Sequence, residues 1–272
     1  MKCFYSQTSD LRTWNSFHIY AVDGSTIQVP ESKENYEVFG GNPNKTEKMS
    51  PLASVSVLYD VINDILVDVS LHSYRHSERE SAKSHMDFLP GFPNSIVLFD
   101  RGYPSEDMFR YLNSKGILFL MRVPKSFKKV ISEQEDALFT YPASHDKEPL
   151  TLRSIHFSLE DGTTEYLITN LTSEQMPVEN FPDLYQLRWG VESKYRELKN
   201  RLRKISDCLK TNSLVCDAII YKNNHHLLLS LNFFETYTLK LTTLPVLRVG
   251  ATVLLTVLSY PDAPDTTLNF SI

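Results

Sequence analysis

The sequence predicts an α/β fold in which a mixed sheet is flanked by helices and a mostly β insertion precedes a late helix. Two runs, residues 95–100 and 116–124, are short and almost continuously apolar, which is typical of buried strands. Residues 184–199 consist largely of helix formers and contain no proline. The chain has 272 residues, of which 42% are hydrophobic, so it can bury a substantial core.

The N-terminal third predicts antiparallel strands. Residues 1–15 are polar and irregular, and we expect them to be frayed. Residues 16–24 alternate apolar and polar side chains up to Asp23 and Gly24, which indicates a half-buried strand that runs into a turn. We expect a return strand at residues 25–30, followed by a long polar loop at 31–51. Two further strands, at 54–60 and 64–72, are expected around a short turn.

Helices and strands alternate in the middle of the chain. Ser77 followed by Glu80 resembles a capping box, which predicts a short helix over residues 77–89. The strand at 95–100 ends in Asp100, and Ser105 is the expected N-cap of a helix that Gly116 ends. After the strand at 116–124, residues 125–171 form the predicted β insertion, and the late helix begins near Phe181.

The late helix carries two neighbouring stripes at helical spacing. The first is apolar and predicts a core-facing side; it contains Leu184, Leu187, Val191, Tyr195, Leu198 and Leu202. The second places one carboxylate among three cations and a phenol, and it consists of Tyr185, Arg188, Glu192, Arg196 and Lys199. An alternative for the second stripe is a solvated ladder of ion pairs, Arg188 with Glu192 and Glu192 with Arg196.

Charge and cysteine content limit the class of protein. The formal net charge is −5, yet residues 185–210 carry eight basic and three acidic side chains. A basic stripe on an acidic domain is the footprint expected where phosphates bind. The three cysteines have neither disulfide-framework nor zinc-site spacing, and no apolar run reaches 18 residues. We therefore expect a soluble cytoplasmic protein without a membrane partner.

Three carboxylates are candidates for one site. Asp23 is predicted to end the first strand and Asp100 the fourth, and these strands can be neighbours in a mixed sheet, with Glu192 offered by a helix packed across them. Such a set is suited to a hard divalent cation, Mg²⁺ or Mn²⁺, and two such ions would support in-line phosphoryl displacement. The alternatives are that Asp23 is a turn residue and that Asp100 pairs with Arg101.

These stretches together resemble the DDE transposases of the insertion-sequence-four type. The resemblance is carried by AVDGSTIQVPESKENYEVFG around Asp23, VLFDRGYPS around Asp100, and YLITNL followed by LYQLRWGVESKYRELKNRL around Glu192. The last stretch contains the family's signature, Tyr, two residues, Arg, three residues, Glu, six residues, Lys, at Tyr185, Arg188, Glu192 and Lys199.

The resemblance implies a ribonuclease H-like catalytic domain over residues 16–204, including the insertion at 125–171. Asp23, Asp100 and Glu192 would bind two Mg²⁺ or Mn²⁺ ions and catalyse nicking and strand transfer. Tyr185, Arg188, Arg196 and Lys199 would contact DNA. The partners would be transposon ends and target DNA, with a homodimer expected in a synaptic complex.

Two stretches depart from the family. The first catalytic strand begins near residue 16, where family members carry a preceding DNA-binding region, and residues 205–272 form an atypical tail. We therefore expect a truncated transposase. Two alternatives stay open at this stage: a non-catalytic DNA-binding remnant, and a ribonuclease H-like nuclease that acts on another nucleic acid.

Overall fold

The fold is built on one large sheet with helices on both faces. The computed structural model describes residues 11–29, 33–43, 49–144, 147–194, 196 and 247–249. Its strands are β1 His18–Gln28, β2 Gly41–Pro43, β3 Met49–Asp60, β4 Ile65–Ser73, β5 Ser95–Phe99, β6 Leu118–Val123, β7 Asp136–Tyr141, β8 Leu150–Ser158, β9 Thr164–Thr169 and β10 Leu247–Val249. Its helices with defined bounds are α1 Lys33–Phe39, α2 Glu78–His85, α3 Glu106–Ser114, α4 Lys129–Glu133 and α5 Phe181–Gln186.

The sheet is mixed, as the sequence predicts. Its strand order is β10-β4-β3-β1-β5-β6-β9-β8-β7, and β2 pairs with β3 outside this path. β3 is antiparallel to both β1 and β4, whereas β5 runs parallel to both β1 and β6. The predicted contact between the first strand and the strand before Asp100 is therefore confirmed.

The first strand is longer than its sequence pattern indicates. β1 continues through Asp23 and Gly24 to Gln28 and pairs with β3 along this whole stretch, so the predicted turn at Asp23 and the separate return strand are wrong. Gly24 keeps a negative φ and an extended conformation, because an Asp-Gly pair permits a turn without requiring one. The predicted loop at 31–51 is also wrong, since it contains α1 and β2.

The middle of the chain agrees with most of the predictions. The Ser105 side chain accepts a hydrogen bond from the Met108 amide, and Gly116 has a φ of +65°, so the expected start and end of α3 are confirmed. α2 begins after Ser77 as expected, but the Ser77 side chain makes no capping hydrogen bond. The insertion is mostly β, and it extends the main sheet because β9 pairs with β6.

Two buried clusters define the two faces of the sheet. Tyr20 and Val22 of β1 belong to a cluster that includes Ala82 of α2 and Met108 and Phe109 of α3. The intervening residues of β1, Ile19 and Ala21, belong to a second cluster with α5 and the segment that follows it. This alternation is the two-residue period of a strand with a helix layer on each side.

The assignment of residues 16–204 to one domain and of 205–272 to an atypical tail stays a prediction. Within that tail the described residues are 247–249, which form β10 against β4. Across the part of the chain that the structure describes, no helix is both long and apolar enough to cross a membrane.

Candidate active site

Asp23 and Asp100 lie on neighbouring parallel segments at one end of the sheet. The last paired residues of β1 and β5 are Ala21 and Leu98, and each aspartate follows its paired residue by two positions. Ala21 and Leu98 share the second buried cluster. Because side chains alternate between faces, this spacing places both aspartates on the side of the sheet that α5 covers.

The pKa of Asp23 reflects its burial and the neighbouring charged groups. Burial, with smaller contributions from the nearby Asp100 and Glu192 carboxylates, raises the pKa of Asp23 to about 6 against the opposing effects of the Gly24 amide and Arg188. The Gly24 amide donates a hydrogen bond to Asp23 Oδ1 at 2.9 Å. Asp23 therefore shares one electrostatic environment with the other two predicted acids.

The late helix is divided into two parts. α5 ends at Gln186, Leu187 and Arg188 form a turn, and residues 189–194 are helical again. The expectation of one uninterrupted helix from Leu184 is therefore wrong. The apolar stripe is confirmed at Leu184 and Val191, which are fully buried, whereas Tyr195, Leu198 and Leu202 lie outside the described residues.

Glu192 is paired with Arg188 in this structure. Arg188 Nη2 donates to Glu192 Oε1 at 2.6 Å. The Arg188 side chain is only 3% exposed, whereas that of Glu192 is 51% exposed. The first of the two predicted ion pairs is therefore present, but its cation is buried beside the Tyr185 ring rather than solvated. The ion pair therefore keeps the Glu192 carboxylate beside Arg188, whose charge also acts on Asp23 and Asp100.

The segment that carries Glu192 is held against the β3–β4 hairpin. A Cβ atom added to Gly190 would lie 3.2 Å from Val61 Cγ1, so the backbone approaches the hairpin turn closely at this glycine. Four residues later, Lys194 Nζ forms an ion pair with Asp64 Oδ1 at 2.8 Å. We call residues 189–194 the Glu192 segment.

The structure locates three of the four predicted DNA-contacting residues. Tyr185 and Arg188 are buried in the site, and both the Tyr185 hydroxyl and Arg188 Nε lack a hydrogen-bond partner among the described residues. Burial raises the pKa of Tyr185, which therefore stays protonated as a donor. Arg196 is exposed, and Lys199 lies outside the described residues.

Two further polar residues at the site have no motif spacing that marks them in the sequence. The Glu78 carboxylate lies against Gly24 and Gly102, which follow Asp23 and Asp100. Tyr103 is 1% exposed, and burial followed by the charges of Asp23, Glu78 and Asp100 raises its pKa. The available signal in the sequence was the glycine within two residues of each aspartate, Gly24 and Gly102, which leaves room for another side chain.

A buried hydrogen-bond network connects α2 to the backbone of Asp23. His85 Nδ1 lies 2.7 Å from Asp68 Oδ2, and His85 Nε2 lies 3.0 Å from Ser56 Oγ. Ser56 Oγ also lies within 3.4 Å of the Asp23 carbonyl oxygen, to which it can donate. Ser56, Asp68 and His85 are all at most 1% exposed, so this constellation has no access to a substrate and serves to position the strands.

The donor atoms fit a hard divalent cation, although their present arrangement is not a finished metal site. Asp100 Oδ1 is buried and has no hydrogen-bond partner among the described residues. A buried carboxylate oxygen without a partner is costly unless a cation or water completes it. Within the described ranges no three His, Cys, Asp or Glu side chains are placed to hold a metal ion as they stand. The pairing of Glu192 with Arg188 is consistent with this.

Comparisons with known proteins agree with the sequence resemblance. Residues 14–221, well over half of the chain, match the family described as "Transposase DDE domain". The chain is 30% identical over 122 residues to a protein of Escherichia coli K12 named "Putative transposase InsZ", an alignment that covers 44% of this chain and 40% of the relative. It is 22% identical over 210 residues to the transposase InsG of insertion sequence element IS4 from the same organism, with 70% of this chain and 46% of InsG covered.

A solved structure, the piggyBac transposase synaptic complex with hairpin DNA, aligns with a TM-score of 0.43 and 12% identity over 66% of this chain and 40% of that one. The chain spans less than half the length of the two curated relatives. The resemblance to transposases of the insertion-sequence-four type is confirmed by the family match and by InsG. This chain belongs to the transposase DDE domain family.

Proposed function

We propose that this chain is the catalytic domain of a DNA transposase and that Asp23, Asp100 and Glu192 are its catalytic carboxylates. The observation that carries the proposal is that two aspartates each lie two residues beyond the last parallel pair of β1 and β5, Asp23 within β1 and Asp100 directly after β5. Glu192 is the third member because its charge reaches Asp23 and its segment packs on the same face of the sheet. These three residues are far apart in the sequence and come near one another only in the folded chain.

Divalent metal ions are generally used by DDE transposases, and we propose two Mg²⁺ or Mn²⁺ ions here. Asp23, Asp100 and Glu192 would hold them, because carboxylate oxygens are the ligands these ions prefer. When bound, such ions activate a water or a 3′-hydroxyl and stabilise the leaving oxygen of a phosphoryl transfer. The orphaned Oδ1 of Asp100 and the raised pKa of Asp23 support this location.

Arg188 and Tyr185 would then orient the DNA phosphate. The guanidinium of Arg188 has a buried Nε without a partner, and the Tyr185 hydroxyl lacks one as well, within the described part of the chain. Both groups are donors, and a phosphate oxygen is a suitable acceptor for each. Arg196 is exposed at the end of the same stripe and would extend the contact, as would Lys199.

The proposed substrates are transposon ends and target DNA. The basic surplus between residues 185 and 210 supports a polyanionic partner. A homodimer within a synaptic complex belongs to the same proposal and is tested by the mass of the complex with end DNA.

A strand-cleavage assay tests the proposal. The full chain is incubated with duplexes that carry the sequences flanking its own gene, with Mg²⁺ or Mn²⁺. We expect nicking by the wild type, loss of at least about a thousandfold in rate for Asp100→Ala, and no change for Asp161→Ala, an exposed acid in the β8–β9 loop. Equal cleavage by Asp100→Ala would contradict the assignment of the carboxylates.

DNA binding without cleavage by the wild type would instead support the non-catalytic alternative. Cleavage that depends on Asp100 but not on the sequence of the DNA ends would favour a ribonuclease H-like nuclease. The same set of duplexes, with scrambled ends as controls, separates these outcomes.

A further inference from the structure

Helix α2 brings a fourth acidic side chain to the end of the sheet that carries Asp23 and Asp100. Glu78 is the first residue of α2. Its Oε1 lies 3.3 Å from the position that a Cβ on Gly24 would occupy, and its Oε2 lies 3.0 Å from the equivalent position on Gly102. The Glu78 carboxylate therefore lies against both backbone segments that carry the catalytic aspartates.

The start of α2 is fixed to the segment after Asp100. Arg79 Nε donates to the Tyr103 carbonyl at 3.1 Å, and Arg79 Nη2 donates to the Pro104 carbonyl at 3.2 Å. The guanidinium next to Glu78 is therefore bonded to carbonyl oxygens. Glu78 itself is exposed and forms no ion pair with a described residue.

Tyr103 provides a second, independent indication of a missing ligand. Its side chain is 1% exposed, and its hydroxyl has no hydrogen-bond partner among the described residues. Burial raises the pKa of this hydroxyl, the charges of Asp23, Glu78 and Asp100 act in the same direction, and the charge of Arg188 opposes them. A buried hydroxyl without a partner is costly unless a water or another group bonds to it, and Tyr103 belongs to this site because its backbone amide donates to the Asp100 carbonyl at 3.3 Å.

Glu78 and Glu192 reach the cluster from opposite faces of the sheet. α2 packs with Tyr20 and Val22, whereas the Glu192 segment packs with Ile19 and Ala21. Their carboxylates therefore do not compete for one position. While Glu192 is held by Arg188, Glu78 offers a further carboxylate on the opposite face of the sheet, beside the segments that carry the two aspartates.

We propose that Glu78 is a fourth oxygen ligand of the divalent-cation site, reaching it from the face opposite Glu192. The inference rests on the proposed function, which locates the cation at Asp23 and Asp100. It also explains Gly24 and Gly102, because a side chain at either position would meet the Glu78 carboxylate.

The test measures Mn²⁺ binding to the full chain in the absence of DNA, by electron paramagnetic resonance of free Mn²⁺. Glu78→Gln is expected to weaken binding at least about tenfold, since even outer-shell partners of metal ligands contribute roughly 10–100-fold. Glu80→Gln is the matched control, because Glu80 lies on the same helix and pairs with Lys83. Its Mn²⁺ affinity is expected to equal that of the wild type.

A steric variant supplies a second measurement. Gly102→Ala would displace the Glu78 carboxylate and weaken Mn²⁺ binding, and this effect is expected to disappear in the Glu78→Gln background. Thermal unfolding in EDTA checks folding: Glu78→Gln is expected to keep or raise the Tm, because it removes one charge from an acidic cluster. The increase in Tm on adding Mn²⁺ is expected to be smaller than in the wild type.

The outcomes separate the two proposals. If Asp100→Asn abolishes Mn²⁺ binding and Glu78→Gln leaves it unchanged, the role of Glu78 is overturned and the proposed site stands. If Asp100→Asn has no effect either, the proposed site itself is wrong. A wild-type chain that binds no Mn²⁺ at millimolar concentration would overturn both.

Discussion

At the scale of single residues, the site combines two partly buried aspartates with the buried cation of Arg188. Asp23 and Asp100 are partly buried, and Arg188 is the cation whose charge reaches both of them. Folding therefore works against ionisation of Asp23, because burial and the neighbouring acids both favour its protonated form. A strongly shifted pKa of this kind is typical of functional sites, which agrees with the proposed role of Asp23.

The raised pKa of Asp23 predicts a pH dependence of stability. The pKa is about 6 in the folded protein against an ordinary value of 3.8, so between these values the folded state holds a proton that the unfolded state has lost. The free energy of unfolding should therefore fall as pH rises from about 4 to about 6. In Asp23→Asn this loss is absent, and its stability relative to the wild type should increase by about 3 kcal/mol across that window.

Urea unfolding of both proteins in EDTA, from pH 4 to pH 7, measures this difference. Glu179→Gln, a change at an exposed acid, is the control and should follow the wild type. A difference between Asp23→Asn and the wild type that stays constant with pH would contradict the altered titration of Asp23.

The Arg188–Glu192 pair should be asymmetric on mutation. Glu192 is half exposed, so Glu192→Gln should cost less than about 1 kcal/mol in the free energy of unfolding. Arg188→Leu removes a buried cation from beside two aspartates and should cost about 3 kcal/mol. The loss should be larger at pH 8 than at pH 5, where Asp23 is protonated. Chemical denaturation at both pH values gives the comparison, and equal costs for the two variants would refute it.

At the scale of elements, α2 is the support that connects the antiparallel half of the sheet to the site. Its N-terminus is bonded to the loop after β5 through Arg79, and its C-terminal residue His85 is bonded to β3 and β4 through Ser56 and Asp68. Ser56 in turn contacts the backbone of Asp23. The position of α2 and the position of the first aspartate are therefore coupled.

Ser56→Ala should reveal this coupling. It leaves His85 Nε2 buried without a partner, which should lower the free energy of unfolding by about 1–3 kcal/mol. It should also weaken Mn²⁺ binding, because the Asp23 backbone loses a contact. Ser114→Ala, which removes an exposed hydroxyl bonded within α3, should change neither quantity. Denaturation and Mn²⁺ titration of both variants provide the test, and an unaltered Mn²⁺ affinity in Ser56→Ala would argue against the coupling.

The sequence predicts which helices and strands form this site better than it predicts where each of them begins and ends. β5 and α3 are recognisable because an apolar run, an N-cap serine and Gly116 each have a local physical meaning. The full length of β1 is not recognisable in the sequence, because the Asp-Gly pair permits a turn and only pairing with β3 shows that the strand continues. The break at Leu187 and Arg188 and the approach of Glu78 depend on tertiary packing, which local spacing does not encode.

At the scale of the whole molecule, the β insertion is a continuation of the main sheet. β9 pairs with β6, and β8 and β7 follow in order. An ion pair between the buried Arg153 and the exposed Asp136 joins β8 to β7, and Arg153 also donates to the Met176 carbonyl before α5. The insertion thus supports the segment before the late helix, and its backbone hydrogen bonds reach β6, the neighbour of β5.

Native-state hydrogen exchange should report one cooperative unit. Amides of β1, β5 and β6 lie at the centre of the sheet and should exchange only through global unfolding, whereas β7 at the edge should exchange faster. Amides of β9 should be protected nearly as well as those of β6, because the two strands bond to each other. Exchange of β7, β8 and β9 together at a much lower free energy would show that the insertion unfolds independently.

Gly190 has a consequence for how the third acid could evolve. With only hydrogen on its Cα, the helical backbone rests directly on Val61 at the tip of the β3–β4 hairpin. The height of that hairpin tip then sets how far Glu192 can extend toward the two aspartates. Changes in a short connection that is distant in sequence from Asp23, Asp100 and Glu192 would therefore alter the distance between the proposed third carboxylate and the other two.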